Sequence, residues 1–258
     1  MTMHTGNTMS DDIILQTQGL TKEFLGFAAV SSVDLQVRRG SIHALIGPNG
    51  AGKTTVFNLL TKFHRPTGGK IWFKGVDITS ENQVQVARRG MIRSFQISAT
   101  FTHLTAMENV RVALQRERSD SFNFWSSEKR LNVLNDRAME LLEAVDLASF
   151  ADTVAVEMPY GRKRALEIAT TLALDPELML LDEPTQGMGH EDVDRVVELI
   201  RKVSANRTIL MVEHNLSVVE SLCDKLTVLQ RGAVLAEGNY ATVSKDPRVL
   251  EAYVGVEA

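Results

Sequence analysis

From residue 13 onward, short apolar runs alternate with segments whose apolar residues recur at three- and four-residue spacing. IILQT and VDLQV predict strands of an antiparallel region, IHALIG a buried strand, and AGKTTVFNLLTKF a helix with one apolar face. PTGGKIWFKGVDI predicts a turn, a strand and a hairpin-like continuation. From about Met107 to Leu147 the pattern changes. MENVRVAL and EKRLNVLNDRAMELLEAV carry helix-period leucines with charges between them, predicting a helical lobe set inside an α/β chain. Its middle, RERSDSFNFWSSEK, is polar with aromatics and is expected to be a variable loop. Beyond Tyr160 the alternation returns: RKRALEIATTLAL as a helix, ELMLLDE as a strand buried on both faces, EDVDRVVELIRKV as a helix, TILMVE as a second buried strand, and DKLTVLQRGAVLAEG as a terminal hairpin. Strand, helix, strand, helix implies a mostly parallel sheet with helices packed on it.

Composition narrows the possibilities. The 258 residues are 44% hydrophobic, enough for one sizeable core. Lys and Arg number 28 against 32 Asp and Glu, giving a formal charge of −4, which argues against a broad nucleic-acid-binding face. The single Cys223 excludes an intrachain disulfide and a thiolate metal cluster. Residues 1–12 have neither a basic start nor an apolar stretch and read as a disordered tail. No apolar run approaches the roughly 20 residues that cross a bilayer, so a membrane role is expected to be peripheral.

Candidate chemistry sits at the strand ends. In IGPNGAGKTT, Gly47, Gly50, Gly52, Lys53 and Thr54 fit G-x-x-x-x-G-K-[ST] between a strand and a helix. Glycine lets successive N–H groups converge on one concave spot, to which a helix N-terminus adds its positive end, so the spot suits a phosphate. Lys53 is expected to neutralise β- and γ-phosphate oxygens and the Thr54 hydroxyl to help hold Mg²⁺. Asp182 ends the apolar run LMLLD, where ligands of parallel sheets bind, and is expected on the metal; Glu183 follows as the group that polarises the attacking water. His214 closes the next apolar strand in the same way. Its position is its argument, since a lone histidine is as readily a surface or core residue.

Taken in order, GPNGAGKTT, a glutamine after a strand in RSFQ, a signature-like segment before RALEIATTLAL, LMLLDEP and VEH make nearly the whole chain, from about Ile13 to Gly255, resemble the nucleotide-binding subunit of an ABC transporter. The resemblance implies a P-loop NTPase fold with a mostly parallel core sheet, an N-terminal antiparallel β region and an inserted α-helical subdomain. On that reading residues 13–258 form one ATPase domain, with β region and core in 13–106 and 161–258 and a helical subdomain, carrying the signature, in 107–160. It implies ATP and Mg²⁺ as cofactors. Asn49, Gly50, Gly52, Lys53, Thr54 and Thr55 would hold the phosphates, and Phe24, with Phe27 competing, would stack on adenine. Gln96 would touch Mg²⁺ or the attacking water, His214 the γ-phosphate, and Gly161 would mark the signature offered to nucleotide on a partner. The implied partners are two integral-membrane permease subunits, a second ATPase subunit and a solute-binding protein, with no nucleic acid. The implied place is the cytoplasmic side of the inner membrane. Two stretches, KEFLGFAAVSSVDLQVRRGSIHALIGPNGAGKTTVFNLLT and DPRVLEAYVG, are similar to ATPases of branched-chain amino acid and related amide or urea importers.

The departures from the family pattern matter. Where Leu-Ser-Gly-Gly-Gln is usual, this chain reads MPYGR: Pro159 replaces the serine and Arg162 the glutamine, and Gly189 stands where an aspartate is common. Proline offers neither a hydroxyl nor an N–H to a partner's γ-phosphate. The groups this chain uses on its own nucleotide are therefore intact while those it lends are weakened, which favours a heterodimer over a homodimer. Two rival classes remain: a soluble ABC-type ATPase acting on nucleic acid or ribosomes, disfavoured by the acidic balance and single cassette, and a non-hydrolysing regulatory cassette, disfavoured by Glu183.

Overall fold

The computed structural model describes residues 12–94, 100–115 and 134–254. They fall into two compact units, one within Met1–Val86 and Cys223–Ala258, the other within Ala87–Leu222.

In the first unit the long strand β1 (Ile13–Phe24) is the centre of an antiparallel sheet. It pairs with β2 (Phe27–Val33), β3 (Gln36–Arg38) and β5 (Gly68–Phe73), and β5 pairs with β6 (Val76–Asp77). A two-residue turn joins β1 to β2, with Leu25 at φ 46° and Gly26 at φ 86°, the left-handed pair that matches strand twist. VDLQV, expected as a strand, instead spans the end of β2 and the start of β3, while FAAVSSV supplies β2. Thr17 explains the break: its buried Oγ1 donates to the Val33 carbonyl at 2.8 Å and accepts from the Leu35 N–H at 2.9 Å, diverting backbone groups from the ladder. Beside this sheet, the fully buried β4 (Ile42–Ile46) runs parallel to β10 (Lys225–Gln230), which turns back antiparallel into β11 (Ala233–Gly238). The helix α1 (Lys53–Leu60) follows β4.

The second unit is built on three parallel strands, β7 (Met91–Ser94), β8 (Leu178–Asp182) and β9 (Thr208–Val212). Every residue of β8 and β9 is buried, as their near-continuous apolar runs require. The short helix α2 (Gln83–Arg88) precedes β7, and the helical lobe opens with α3 (Ala106–Leu114). Thr105 and Glu108 close a capping box at the start of α3, satisfying two orphan donors reciprocally. Then come α4 (Asn135–Ala144), α5 (Tyr160–Leu172) and α6 (His190–Ser204). Helix α6 buries Val196, Leu199, Ile200 and Val203 on one face, with Glu191 and Asp192 in its first turn and Arg201 and Lys202 in its last, the charge order the helix dipole favours. The chain continues through α7 (Leu216–Leu222) to the first unit, which ends in α8 (Tyr240–Val243) and α9 (Pro247–Val254). The predicted loop RERSDSFNFWSSEK lies outside the described residues.

Candidate active site

In the first unit, β4 delivers the chain to Gly47, and α1 starts at Lys53 behind an N-cap Gly52 at φ 103°. Two of the glycines are compelled by close backbone approach as well as by conformation. A Cβ on Gly47 would stand 2.2 Å from the Leu229 carbonyl oxygen, and one on Gly52 would stand 2.6 Å from that of Ala29. Gly232 donates its N–H to the Ala51 carbonyl at 3.0 Å, so the β10–β11 turn braces the loop from outside. The Lys53 ammonium folds back inside the loop, donating to the carbonyls of Gly47 at 2.6 Å and Pro48 at 2.9 Å. Asn49, Gly50 and Thr54 are exposed and Thr55 is half-buried. With no acidic residue in its first turn, α1 leaves its positive end uncompensated, which fits an anion.

Phe24 is held in place at the β1–β2 turn. Its ring meets His64 edge-on at 5.3 Å and carries the Lys22 ammonium 4.9 Å from its centroid. Phe27 is the more exposed of the two, at 71% against 40%.

In the second unit the chemistry gathers where β8 and β9 end. Asp182 is 1% exposed, and one of its carboxylate oxygens accepts a short charge-assisted hydrogen bond from the Arg93 guanidinium on β7. Its backbone carbonyl accepts from Arg164 Nη2 at 2.9 Å, while Arg164 Nη1 donates to Glu167 at 2.5 Å. Burial raises the pKa of the Glu167 carboxyl, and Arg164 works against that rise. Glu183 adopts φ 46°, a left-handed conformation seldom taken by a glutamate, yet its N–H still reaches the Val212 carbonyl at 2.9 Å. The kink frees its side chain to accept from His214 Nε2 at 2.8 Å.

Glu213 locks this corner. One carboxylate oxygen accepts from the backbone N–H groups of His214 at 2.8 Å and Asn215 at 3.0 Å. The other accepts from the Thr185 hydroxyl at 2.8 Å and, more weakly, from the Thr185 N–H at 3.4 Å. The loops after β8 and β9 are thereby tied together through one buried carboxylate. Arg93, Arg164, Thr185 and Glu213 were not among the expected site residues. A charged residue directly after an apolar strand, as in TILMVE, is the signal that marks Glu213.

Gly161 lies in the first turn of α5, where a Cβ would meet Asp192 Oδ1 at 2.9 Å, so α6 packs against the bare Cα. Pro159 is the N-cap and supplies no side-chain cap. The Arg162 guanidinium stacks 3.7 Å from the Phe150 ring centroid, and Tyr160 is 56% exposed. Gly189 is the N-cap of α6. Gln96 lies outside the described residues.

Each unit carries, by itself, a group of the kind that holds magnesium nucleotide. Asp182 is a buried carboxylate kept beside a cation, and Thr54 is a hydroxyl in the first turn of α1. No group of three His, Cys, Asp or Glu able to cage a metal occurs among the described residues.

Comparison with known proteins agrees with this chemistry. The ABC transporter family matches residues 30–186, and the branched-chain amino acid ATP-binding cassette transporter family matches residues 233–258. The high-affinity branched-chain amino acid transport ATP-binding protein BraF of Pseudomonas aeruginosa is 38% identical over 252 residues, covering 94% of this chain and 98% of the relative. LivG of Salmonella typhimurium, of the same description, is 36% identical over 254 residues, again covering 94% and 98%. The solved ADP conformation of MJ1267, an ATP-binding cassette of an ABC transporter, superposes with a TM-score of 0.83 at 28% identity, covering 94% of this chain and 99% of that one. The phosphate loop, the acidic end of β8 and these likenesses make the chain a member of the ABC transporter family, an ATP-binding subunit whose ATPase activity is coupled to transport.

Proposed function

We propose that this subunit powers the import of branched-chain amino acids, or a closely similar small solute, by binding and hydrolysing Mg·ATP on the cytoplasmic side of the inner membrane. The observation that carries the solute class is the match of residues 233–258 to the branched-chain family, joined to identities of 36–38% with BraF and LivG over nearly full length. Backbone N–H groups from Asn49 to Gly52 and the Lys53 ammonium hold the phosphates, with Thr54 and Thr55 at the start of α1. Phe24, or Phe27, stacks on adenine. Asp182, Thr54 and Gln96 are the ligands for Mg²⁺, whose contribution when bound is to neutralise the charge on the β- and γ-phosphate oxygens.

Glu183 takes the proton of a water as that water attacks the γ-phosphorus; the bond to the β–γ bridging oxygen breaks, leaving ADP and inorganic phosphate. The hydrogen bond from His214 holds the Glu183 carboxylate in place for that task and leaves a histidine at hand for the transferred phosphate. This brace also disfavours a non-hydrolysing cassette, and the acidic balance disfavours action on nucleic acid.

The partners are two membrane permease subunits, a second ATPase subunit and a solute-binding protein. No helix among the described residues is long and apolar enough to cross a membrane, so the chain would attach through those subunits. The N-cap Pro159, which offers neither a hydroxyl nor an N–H to a partner's γ-phosphate, supports a heterodimer. Uptake of radiolabelled leucine into proteoliposomes containing the complete transporter provides the test. Glu183→Gln should abolish uptake and cut ATP turnover at least 100-fold, while an unchanged uptake rate refutes the assignment.

A further inference from the structure

We propose that Arg93 is a built-in counter-cation for Asp182, competing with Mg²⁺ for the same carboxylate and thereby setting the Mg²⁺ concentration at which the chain takes up metal–nucleotide. The inference rests on the reading of Asp182 as a metal ligand but goes beyond it, because that reading gives Arg93 no part.

Asp182 is 1% exposed, and an ionised carboxylate at such depth needs a cation whether or not metal is bound. Lacking one, the strand end would hold an uncompensated buried charge, which is strongly unfavourable and would drive the strand end to open to water. Arg93 removes the problem. It lies on β7, whose register with β8 sets Arg93 against Leu180, two residues before Asp182. Its side chain is 12% exposed, and its guanidinium meets Asp182 Oδ2. A guanidinium cannot lose its proton, so this counter-charge persists at every physiological pH.

Arg164 does not duplicate the arrangement. Its guanidinium spans Glu167 and the Asp182 backbone carbonyl, so a second carboxylate stands beside its charge and it supports the strand end. Two arginines thus divide the work, one for the backbone of Asp182 and one for its charge.

A divalent cation arriving at Asp182 must displace or share the Arg93 contact, and a like charge beside the ligand opposes its approach. Removing the guanidinium should therefore tighten metal uptake. The opposite sign is expected if Arg93 merely orients the carboxylate, because loss of an orienting partner weakens metal binding. The direction of the change separates the two roles.

The experiment uses the full chain and a fluorescent ADP analogue, titrating MgCl₂ from an EDTA-treated start and reading the midpoint of the metal-dependent gain in nucleotide binding. Arg93→Met keeps the aliphatic stem and should lower the Mg²⁺ midpoint about tenfold, corresponding to about 1.4 kcal/mol. Nucleotide affinity in EDTA should stay within about twofold of the unaltered chain. Arg93→Lys keeps the charge and should stay within about threefold of the original midpoint. Should Arg93→Met fail to fold, judged by its circular dichroism, Arg93→Gln retains a donor toward Asp182 without the charge and should shift the midpoint in the same direction. A midpoint that is unmoved or raised in the neutral variants overturns the proposal. An unaltered chain whose nucleotide binding ignores Mg²⁺ overturns the reading of Asp182 as a ligand, and the role of Arg93 with it.

Discussion

Single residues at this site are held by partners far away in sequence, and their removal should be felt beyond their own contacts. Glu213 accepts from Thr185, His214 and Asn215 while 3% exposed. Glu213→Gln keeps the shape but turns one acceptor oxygen into a donor facing other donors, an arrangement that costs about 2–3 kcal/mol. The melting temperature should fall by several degrees, and turnover should drop about tenfold although Glu213 carries no step of the hydrolysis. A second residue-scale expectation concerns pH. Burial lowers the His43 pKa to about 4, with its Nε2 2.8 Å from the Thr227 hydroxyl. The unfolded chain takes up this proton near pH 6.5 and the folded one only near 4, so protons favour the unfolded state between those values. Stability should therefore fall as pH drops from about 6.5 toward 4, by up to about 3 kcal/mol from this group. Thermal melts of the unaltered chain and of His43→Gln across that window should diverge, the variant showing the flatter profile.

At the scale of elements, the last helix bears directly on the phosphate loop. Helix α9 buries Val249 and Ala252, and a cleft of about 530 Å³ between it and the loop is lined by Pro48 to Ala51, Arg231, Arg248 and Glu251. The Tyr253 hydroxyl faces the Gly47 backbone; burial raises its pKa, and the Gly47 contact partly offsets that. Tyr253→Phe removes only the hydroxyl. It should weaken nucleotide affinity about threefold to tenfold with kcat nearly unchanged, because the loop loses a brace while the hydrolytic residues keep theirs. Parallel titrations with a fluorescent nucleotide and a phosphate-release assay separate the two effects. Elements differed in how openly the sequence declared them. The strands β8 and β9 were legible as near-continuous apolar runs, and β4 as a short run broken only by His43, since a strand covered on both faces carries few polar positions to confuse the pattern. FAAVSSV was passed over because only Val30 and Val33 are buried in β2, leaving no period of two to read. The phosphate loop was legible for another reason: at Gly47 and Gly52 the backbone itself excludes a side chain, so the requirement is written in residue type. Arg93 was not, because its partner lies 89 residues further on, and an arginine in a strand carries no local mark of that pairing.

For the whole molecule, the open question is whether it works with a copy of itself or with an unlike cassette, and the structure decides which substitution can tell. Gly161 is a poor choice, because a Cβ there would meet Asp192 at 2.9 Å and disturb α5 and α6 whatever the signature does. Arg162 is tied to Phe150, so its loss would also mix packing with function. Tyr160 avoids both faults: it is 56% exposed at the first position of α5. A carboxylate there complements the helix dipole, so Tyr160→Glu should leave the fold intact while repelling any phosphate brought to that helix end. In an assembly with an unlike ATPase subunit, where this chain's own nucleotide is the one hydrolysed, Tyr160→Glu should leave turnover within about twofold and Glu183→Gln should reduce it at least 100-fold. In a dimer of identical subunits each nucleotide faces both a Glu183 and a Tyr160, so both substitutions should lower turnover by more than tenfold. Phosphate release from the purified chain alone and from the chain mixed with its partner subunit distinguishes these outcomes. Strong loss from Tyr160→Glu in both preparations would rule out the unequal pair, because it would mean that an N-cap proline and the backbone of α5 serve a γ-phosphate well enough without the missing hydroxyl.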